Sequence, residues 1–304
     1  MEAILANPVA LTVLPPLLAG LLLGLLAWVS AGNRVVMAIG WSAGILFVYW
    51  LLEGVPPLPP IAAKQKLGYL LLFGGALGVL LSMLPLVGAG RLWPIMAAAL
   101  VAAFVWLGFN TLNSGVMSGE VSFAFLPTIL LIVVLLGRGL MESGRVAIAE
   151  RGVPPTEQPF IIPIAWLATA IAGSISAAAG LFLGMAQMLG ALAALTGGAL
   201  MISHIALIAM GEGLRLMEPG AAFALGFAIA CALLLTALLA PSANLLSLIV
   251  LSLSVPLTGY GRARIAALPP TMPALRPIIA GAIIAVPAVI ACIVAMLTGG
   301  NPFA

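Results

Sequence analysis

The chain contains no aspartate, one histidine, two cysteines and little charge of either sign. Only 6% of its 304 residues are charged, against about 25% in an average soluble protein. Such a chain cannot cover a water-facing surface with polar groups, which excludes a soluble globular fold. Its eleven Lys/Arg and eight Glu leave a formal net charge of +3. That charge is scattered over short connectors, so nucleic acid is excluded as a partner. With no Asp, one His and no paired carboxylates, the chain lacks the acid–base pairs of an intramembrane hydrolase, and it is not expected to be an enzyme. Cys231 and Cys292 lie inside apolar runs with no CxxC or Cys/His spacing. They are expected as small buried apolar residues, with no metal centre and no cofactor.

Long apolar runs take the place of polar surface, and 64% of the residues are hydrophobic. A helix needs about 20 residues to cross roughly 30 Å of hydrocarbon. Windows of that kind fall at Val9–Val29, Val35–Leu52, Leu67–Val87, Trp93–Phe109, Val121–Gly137, Ile161–Phe182, Met185–Ile208, Ala221–Ala240, Asn244–Thr258 and Pro277–Leu297. The sequence thus predicts an all-α polytopic membrane protein with about ten transmembrane helices. The flank of the first window carries Glu2 and no Lys or Arg, so that window is expected as a retained helix and not as a signal peptide. The uncharged stretch from Phe160 to Met210 is too long for one helix and is divided near Leu183–Gly184. The ninth window is short and interrupted by Pro256, which leaves a crossing or a re-entrant segment.

Charge discriminates between those two. With ten crossings, Arg34, Arg91, Arg138, Arg145, Arg151, Arg215, Arg262, Arg264 and Arg276 fall on one side, and Lys64 and Lys66 on the other. A re-entrant ninth segment would erase most of that bias. The positive-inside rule therefore favours a crossing. It predicts a multi-pass protein of the cell inner membrane with both termini on the non-cytoplasmic side.

The longest polar stretch, 138–159, is expected as a cytoplasmic connecting loop. It separates a first five-helix half, 1–137, from a second, 160–304. Five helices per half invert the second half relative to the first, as inverted-topology repeats require. Three weak echoes support a repeat: Glu53–Gly54 with Glu212–Gly213, 159 positions on, the start of span three at Leu67 with that of span eight at Ala221, 154 on, and Pro85 with Pro241, 156 on. The alternative is ten helices without internal symmetry.

An ionisable group inside a bilayer costs roughly 2.5–3.5 kcal/mol on insertion scales, so each one needs a reason. His204, in span seven, is either a proton-titrating or ligand-contacting group or a helix-end His bonded to a neighbour. If that helix continues, Glu212 and Arg215 pair at i,i+3 and Arg215 shares a face with His204. Gly211 and Gly213 argue against continuation. Glu53 precedes four prolines, Pro56–Pro57 and Pro59–Pro60, and Lys64 and Lys66 are placed to pair with it. Glu120, after Asn110, Asn113 and Ser114, would share an outer vestibule with Glu53. Pro15–Pro16, Pro127, Pro256 and Pro287 fall inside spans, where a missing N–H either frees a carbonyl for a substrate or simply kinks the helix. Glycines recur four apart at Gly20/Gly24, Gly74/Gly78 and Gly180/Gly184, which lets helix backbones approach closely. Ser174 and Ser176 add hydroxyls to a small-residue span that would pack centrally or line a path. Trp28, Trp50 and Trp93 sit at span ends, as an interfacial belt requires.

Two function classes remain. Ten spans, a five-plus-five inversion and broken helices point to a secondary transporter of a small solute. The scarcity of ionisable groups inside the membrane points instead to a non-catalytic scaffold or accessory subunit of a larger complex. The partners expected are the lipid bilayer, a small solute, and other membrane subunits or further copies of the chain.

A cysteine introduced as Thr156→Cys is expected to react with an impermeant thiol reagent from the cytosolic face alone. Labelling from the opposite face would invert the topology.

Overall fold

Lipid offers no hydrogen-bond partner, so a spanning backbone must pair its own N–H and C=O groups. A computed structural model of the chain describes residues 8–84, 98–108, 119–150, 160–240, 242–266 and 275–298. Among the described residues there are helices and turns and no strand. The first helices are α1 (Pro8–Val29), α2 (Arg34–Glu53), α3 (Ala63–Met83) and α4 (Ala98–Gly108). Then follow α5 (Gly119–Glu150), α6 (Ile161–Ala179), α7 (Leu183–Met210) and α8 (Pro219–Leu239). The last four are α9 (Leu245–Ser252), α10 (Thr258–Ala266), α11 (Arg276–Ile284) and α12 (Val286–Thr298). Seven helices, α1 to α3 and α5 to α8, are long and apolar enough to cross a membrane, or eight spans if the bent pair α11–α12 counts as one. The chain is thus an α-helical multi-pass membrane protein.

Several expectations need correction. The fifth span does not end at Gly137. Helix α5 continues to Glu150, so 138–150 is helix and not loop. Hydropathy windows register the charges in this stretch but not its periodicity. Leu140, Ser143, Val146 and Ala147 are buried on one helical face. With 32 residues, α5 is about 48 Å long, more than a hydrocarbon layer of roughly 30 Å is thick. The ninth window is one short helix, α9, followed by a turn over 253–257 that contains Pro256, and a second short helix, α10, begins only at its last residue, Thr258. The tenth is bent by 42° between α11 and α12, where Pro287 cannot donate to the carbonyl of Ile283. Pro15 and Pro16, by contrast, leave α1 unbroken. The division of 160–210 falls at the turn 180–182, close to the expected break.

Helix α8 is the axis of the bundle. Of its spanning window 94% is buried, and it packs against α2, α3, α5, α6, α7 and α9. Lipid tails are as apolar as leucine, so close packing rather than hydrophobicity must hold such helices together. The backbones meet at glycines. A Cβ on Gly20 of α1 would strike the Leu195 carbonyl of α7, and one on Gly198 would strike the Leu17 carbonyl of α1. Gly78 of α3 and Gly220 of α8 meet in the same way, and Gly74 lies against Phe227. Gly180 packs on Ala243, whereas Gly184 has open space apart from the Glu53 carboxylate.

The packing does not follow the exchange that an inverted repeat would impose. Helix α1 lies along α7, but its would-be counterpart α6 makes no comparable contact with α2. The Glu–Gly echo does not place equivalent residues: α2 ends on Gly54, directly after Glu53, whereas α7 ends on Gly211, directly before Glu212. The expected Trp93 start of span four, the Asn110–Ser114 vestibule, the connector from Arg151 to Pro159, the side chain of Arg264 and both termini lie outside the described residues.

Gly198→Val is expected to destabilise the detergent-solubilised protein by about 1–3 kcal/mol, the usual cost of overpacking. Gly184→Ala should leave the thermal midpoint unchanged. Equal midpoints for both variants would remove the α1–α7 crossing from the packing.

Candidate functional site

The polar side chains gather at the two ends of the bundle, sorted as the charge count requires. At the arginine end, Arg34 Nη1 donates to the Leu84 carbonyl (3.2 Å), and Gly32 lies against Arg215. Arg262 Nη2 donates to the Ala149 carbonyl (3.4 Å). At the lysine end, Lys64 pairs with Glu53 at 2.9 Å, and Gly180 touches Ala243. There Asn244 Nδ2 also donates to Thr298 Oγ1 (2.6 Å).

The segment between α7 and α8, Gly211 to Glu218, forms the most elaborate structure at the arginine end. Gly211 ends α7 in the left-handed region (φ 73°). The chain then folds back beneath the bundle, with Leu214, Leu216, Met217 and Glu218 buried. Two side chains hold it. Ser203 Oγ accepts from Leu214 N–H (3.0 Å) and donates to the Leu214 carbonyl (3.2 Å). Trp41 Nε1 donates to the Leu216 carbonyl (2.9 Å). Behind this plug is a cavity of about 20 Å³, lined by Glu150, Phe160, Arg215 and Glu218, the size of a single water site. Glu150 Oε1 accepts from Ile161 N–H (3.0 Å). The last residue of α5 thereby caps α6, whose own N-cap residue, Phe160, offers no side-chain acceptor.

This arrangement separates the residues expected to act together. The helix does not continue past Met210, so Glu212 and Arg215 form no ion pair: Glu212 is exposed, and Arg215 is half-buried against the cavity. His204 lies on the outward stripe of α7 with the exposed Met201, Ile205 and Ile208. It makes no hydrogen bond or ion pair there, so the expected cluster of His, Glu and Arg is not assembled.

At the lysine end, Glu53 takes Lys64 as its partner, but Lys66 does not join them. Lys66 is buried, and its Nζ donates to the Trp106 carbonyl (3.0 Å) in the last turn of α4, where a cation meets the negative end of the helix dipole. The proline-rich segment is fastened by Tyr69, whose hydroxyl donates to the carbonyls of Pro56 and Pro57 (3.2 and 3.1 Å). The Gln65 side chain accepts from Ile61 and Ala62 N–H. Glu120 lies in the first turn of α5, and its side chain falls outside the described residues.

The two serines of α6 act as staples between helices. Ser174 Oγ donates to the Ala186 carbonyl of α7 (2.7 Å). Ser247 Oγ donates to the Ala291 carbonyl (2.9 Å), so in its 3.0 Å contact with Ser176 the Ser176 hydroxyl is the donor. That node ties α6, α9 and α12 together. Pro16 is buried and Pro15 half-buried one turn before the α1–α7 crossing. Trp28 and Trp50 are exposed at their helix ends, as an interfacial belt requires. Sequence reasoning missed the capping by Glu150, the Trp41 bond and the Ser247 node, because each joins residues far apart in the chain.

Two larger hollows open on the outer surface. One, about 470 Å³, is almost wholly apolar and runs between α6 and the bent pair α11–α12. The other, about 490 Å³, lies between α4 and α5 and carries Arg138, Glu142 and Arg145 beside apolar side chains. Neither touches α8. Comparison with protein-family models, curated proteins and solved structures returns no match.

Ser203→Ala should leave the buried Leu214 N–H and C=O without their partner, at a cost of about 1–3 kcal/mol. It should also open 211–218 to proteolysis. Glu212→Gln should alter neither stability nor cleavage, and an equal effect from both variants would contradict the docked plug.

Proposed function

We propose that this protein is a non-catalytic scaffold or accessory subunit of a larger membrane complex, with ten crossings and both termini outside the cytoplasm of the inner membrane. The observation that carries the functional half is the enclosed α8: a transporter needs a polar path near mid-membrane reached by a broken helix, and here the middle of the bundle is packed side chain to side chain. The hollow that does reach a broken helix, beside α11–α12, is lined by apolar groups such as Ile171, Ala288 and Val289. The ten-crossing half rests on contacts. Asn244, before α9, meets Thr298 at the lysine end, while Arg262 of α10 meets Ala149 at the arginine end. These contacts support taking the broken pair α9–α10 as one crossing, which would keep nine arginines of the sequence on one side.

A secondary transporter of a small solute is the second reading. The 42° bend at α11–α12 favours it, since such breaks are where transporter helices rock.

A photo-crosslinker at Val289, which is exposed beside the bent pair, separates the two. In intact membranes a scaffold is expected to give one discrete cross-linked protein, recovered at stoichiometric ratio after mild extraction. Crosslinks to lipid alone, together with solute accumulation in proteoliposomes of the purified chain, would overturn the scaffold in favour of transport.

A further inference from the structure

We infer that the hollow between α4 and α5 is a binding site for a single anionic phospholipid in the leaflet at the arginine end. Its lining changes character along its length. Val101 of α4 and Val133 and Val134 of α5 make one part apolar, and Arg138, Glu142 and Arg145 make the other polar. The order along α5 fixes the direction. Arg138 follows Val134 by one turn, and Arg145 lies two turns further toward the arginine end, about 10 Å on. The hollow therefore runs from the hydrocarbon toward the arginine end, where Arg145 lies about 8 Å along α5 from the level at which Glu150 meets the first residue of the spanning helix α6. An acyl chain fits against the valines, and a phosphate fits between the guanidinium groups.

Charge selects the class of lipid. Arg145 is loosely paired with Glu142 at 3.6 Å, and Arg138 makes no hydrogen bond or ion pair among the described residues. Two arginines against one glutamate leave the polar part of the hollow with one net positive charge. A guanidinium at the hydrocarbon boundary is costly unless an anion meets its planar array of donors, and a phosphodiester does so in a bidentate manner. A zwitterionic lipid brings its own cation to the site and gains less. Basic hollows between membrane helices are places where anionic headgroups bind. The hollow is open at the surface, so a lipid can enter from the bilayer.

Native mass spectrometry of the full chain from mild detergent, supplied with phosphatidylglycerol or phosphatidylcholine, tests this. Phosphatidylglycerol is expected to give a one-lipid adduct that phosphatidylcholine does not match. The double variant Arg138→Gln/Arg145→Gln should weaken that adduct about tenfold or more, as expected when charge-assisted bonds are lost. Arg34→Gln, at the same end but away from the hollow, should leave it intact. Val134→Trp fills the apolar part and should abolish the lipid adduct while both arginines remain. Soluble glycerol phosphate should neither bind comparably nor compete. Equal adducts in the wild type and the arginine double variant, or competition by glycerol phosphate, would overturn the proposal. If the tryptophan variant does not fold, the arginine variants decide alone.

Discussion

Helix α8 sits inside six other helices with no face left for lipid or water, and that enclosure rests on how closely helix backbones can approach where side chains are absent. At Gly78 and Gly220 the backbones of α3 and α8 touch, and at Gly20 and Gly198 those of α1 and α7 do. A methyl group at any of these positions would push a helix outward and forfeit dispersion contacts along the crossing. In a bilayer there is little hydrophobic gain to compensate, because lipid receives an exposed leucine as well as protein does. The glycine contacts thus decide which helices are neighbours, and the neighbours decide that the centre is filled.

Polar groups follow from the same constraint. With so few in the chain, most of the buried hydroxyls among the described residues bond to carbonyls of their own helix or bridge to another, Ser254 excepted. Ser174 reaches α7, Ser176 and Ser247 join α6 to α9 and α12, and Ser203 holds the segment before α8. Charged groups sit at the ends, where Lys66 and Glu150 complete helix termini that would otherwise end unsatisfied. Such groups fix the bundle in one arrangement. None of them is presented to a central cavity, and His204, the single histidine, faces outward.

Much of the fold was legible in the sequence, since hydropathy alone located the seven long helices to within a few residues, α5 excepted. The glycine pairs of α1 and α3 were legible as close-approach surfaces, although their partners Gly198 and Gly220 were not, because a helix carries no mark of which neighbour it meets. The charge count assigned the connectors to alternating ends, and among the described residues Arg34 and Lys64 lie at opposite ends of α2 and α3. Three features escaped. The last turns of α5 were hidden by their charges, and the fold-back of 211–218 under the bundle was not visible, although Gly211 already argued against a continuous His204–Arg215 face. Lys66 was assigned to Glu53 because the carbonyl it serves lies on α4, 40 residues away. Local pattern carries element identity, whereas site geometry depends on tertiary neighbours that no local pattern encodes.

The protein so described offers a filled interior and a varied exterior: an apolar hollow beside a bent helix pair, an arginine-bearing hollow on α5, and exposed tryptophans at helix ends. On the proposed reading its interactions are made at that surface. Cys231, fully buried in the middle of α8, reports on that directly once Cys292 is replaced by alanine. A water-soluble maleimide applied to native membranes should leave Cys231 unmodified until the protein is unfolded. Modification of Cys231 in the folded protein, from either face, would reveal an aqueous path through the centre and contradict a solid, non-conducting core.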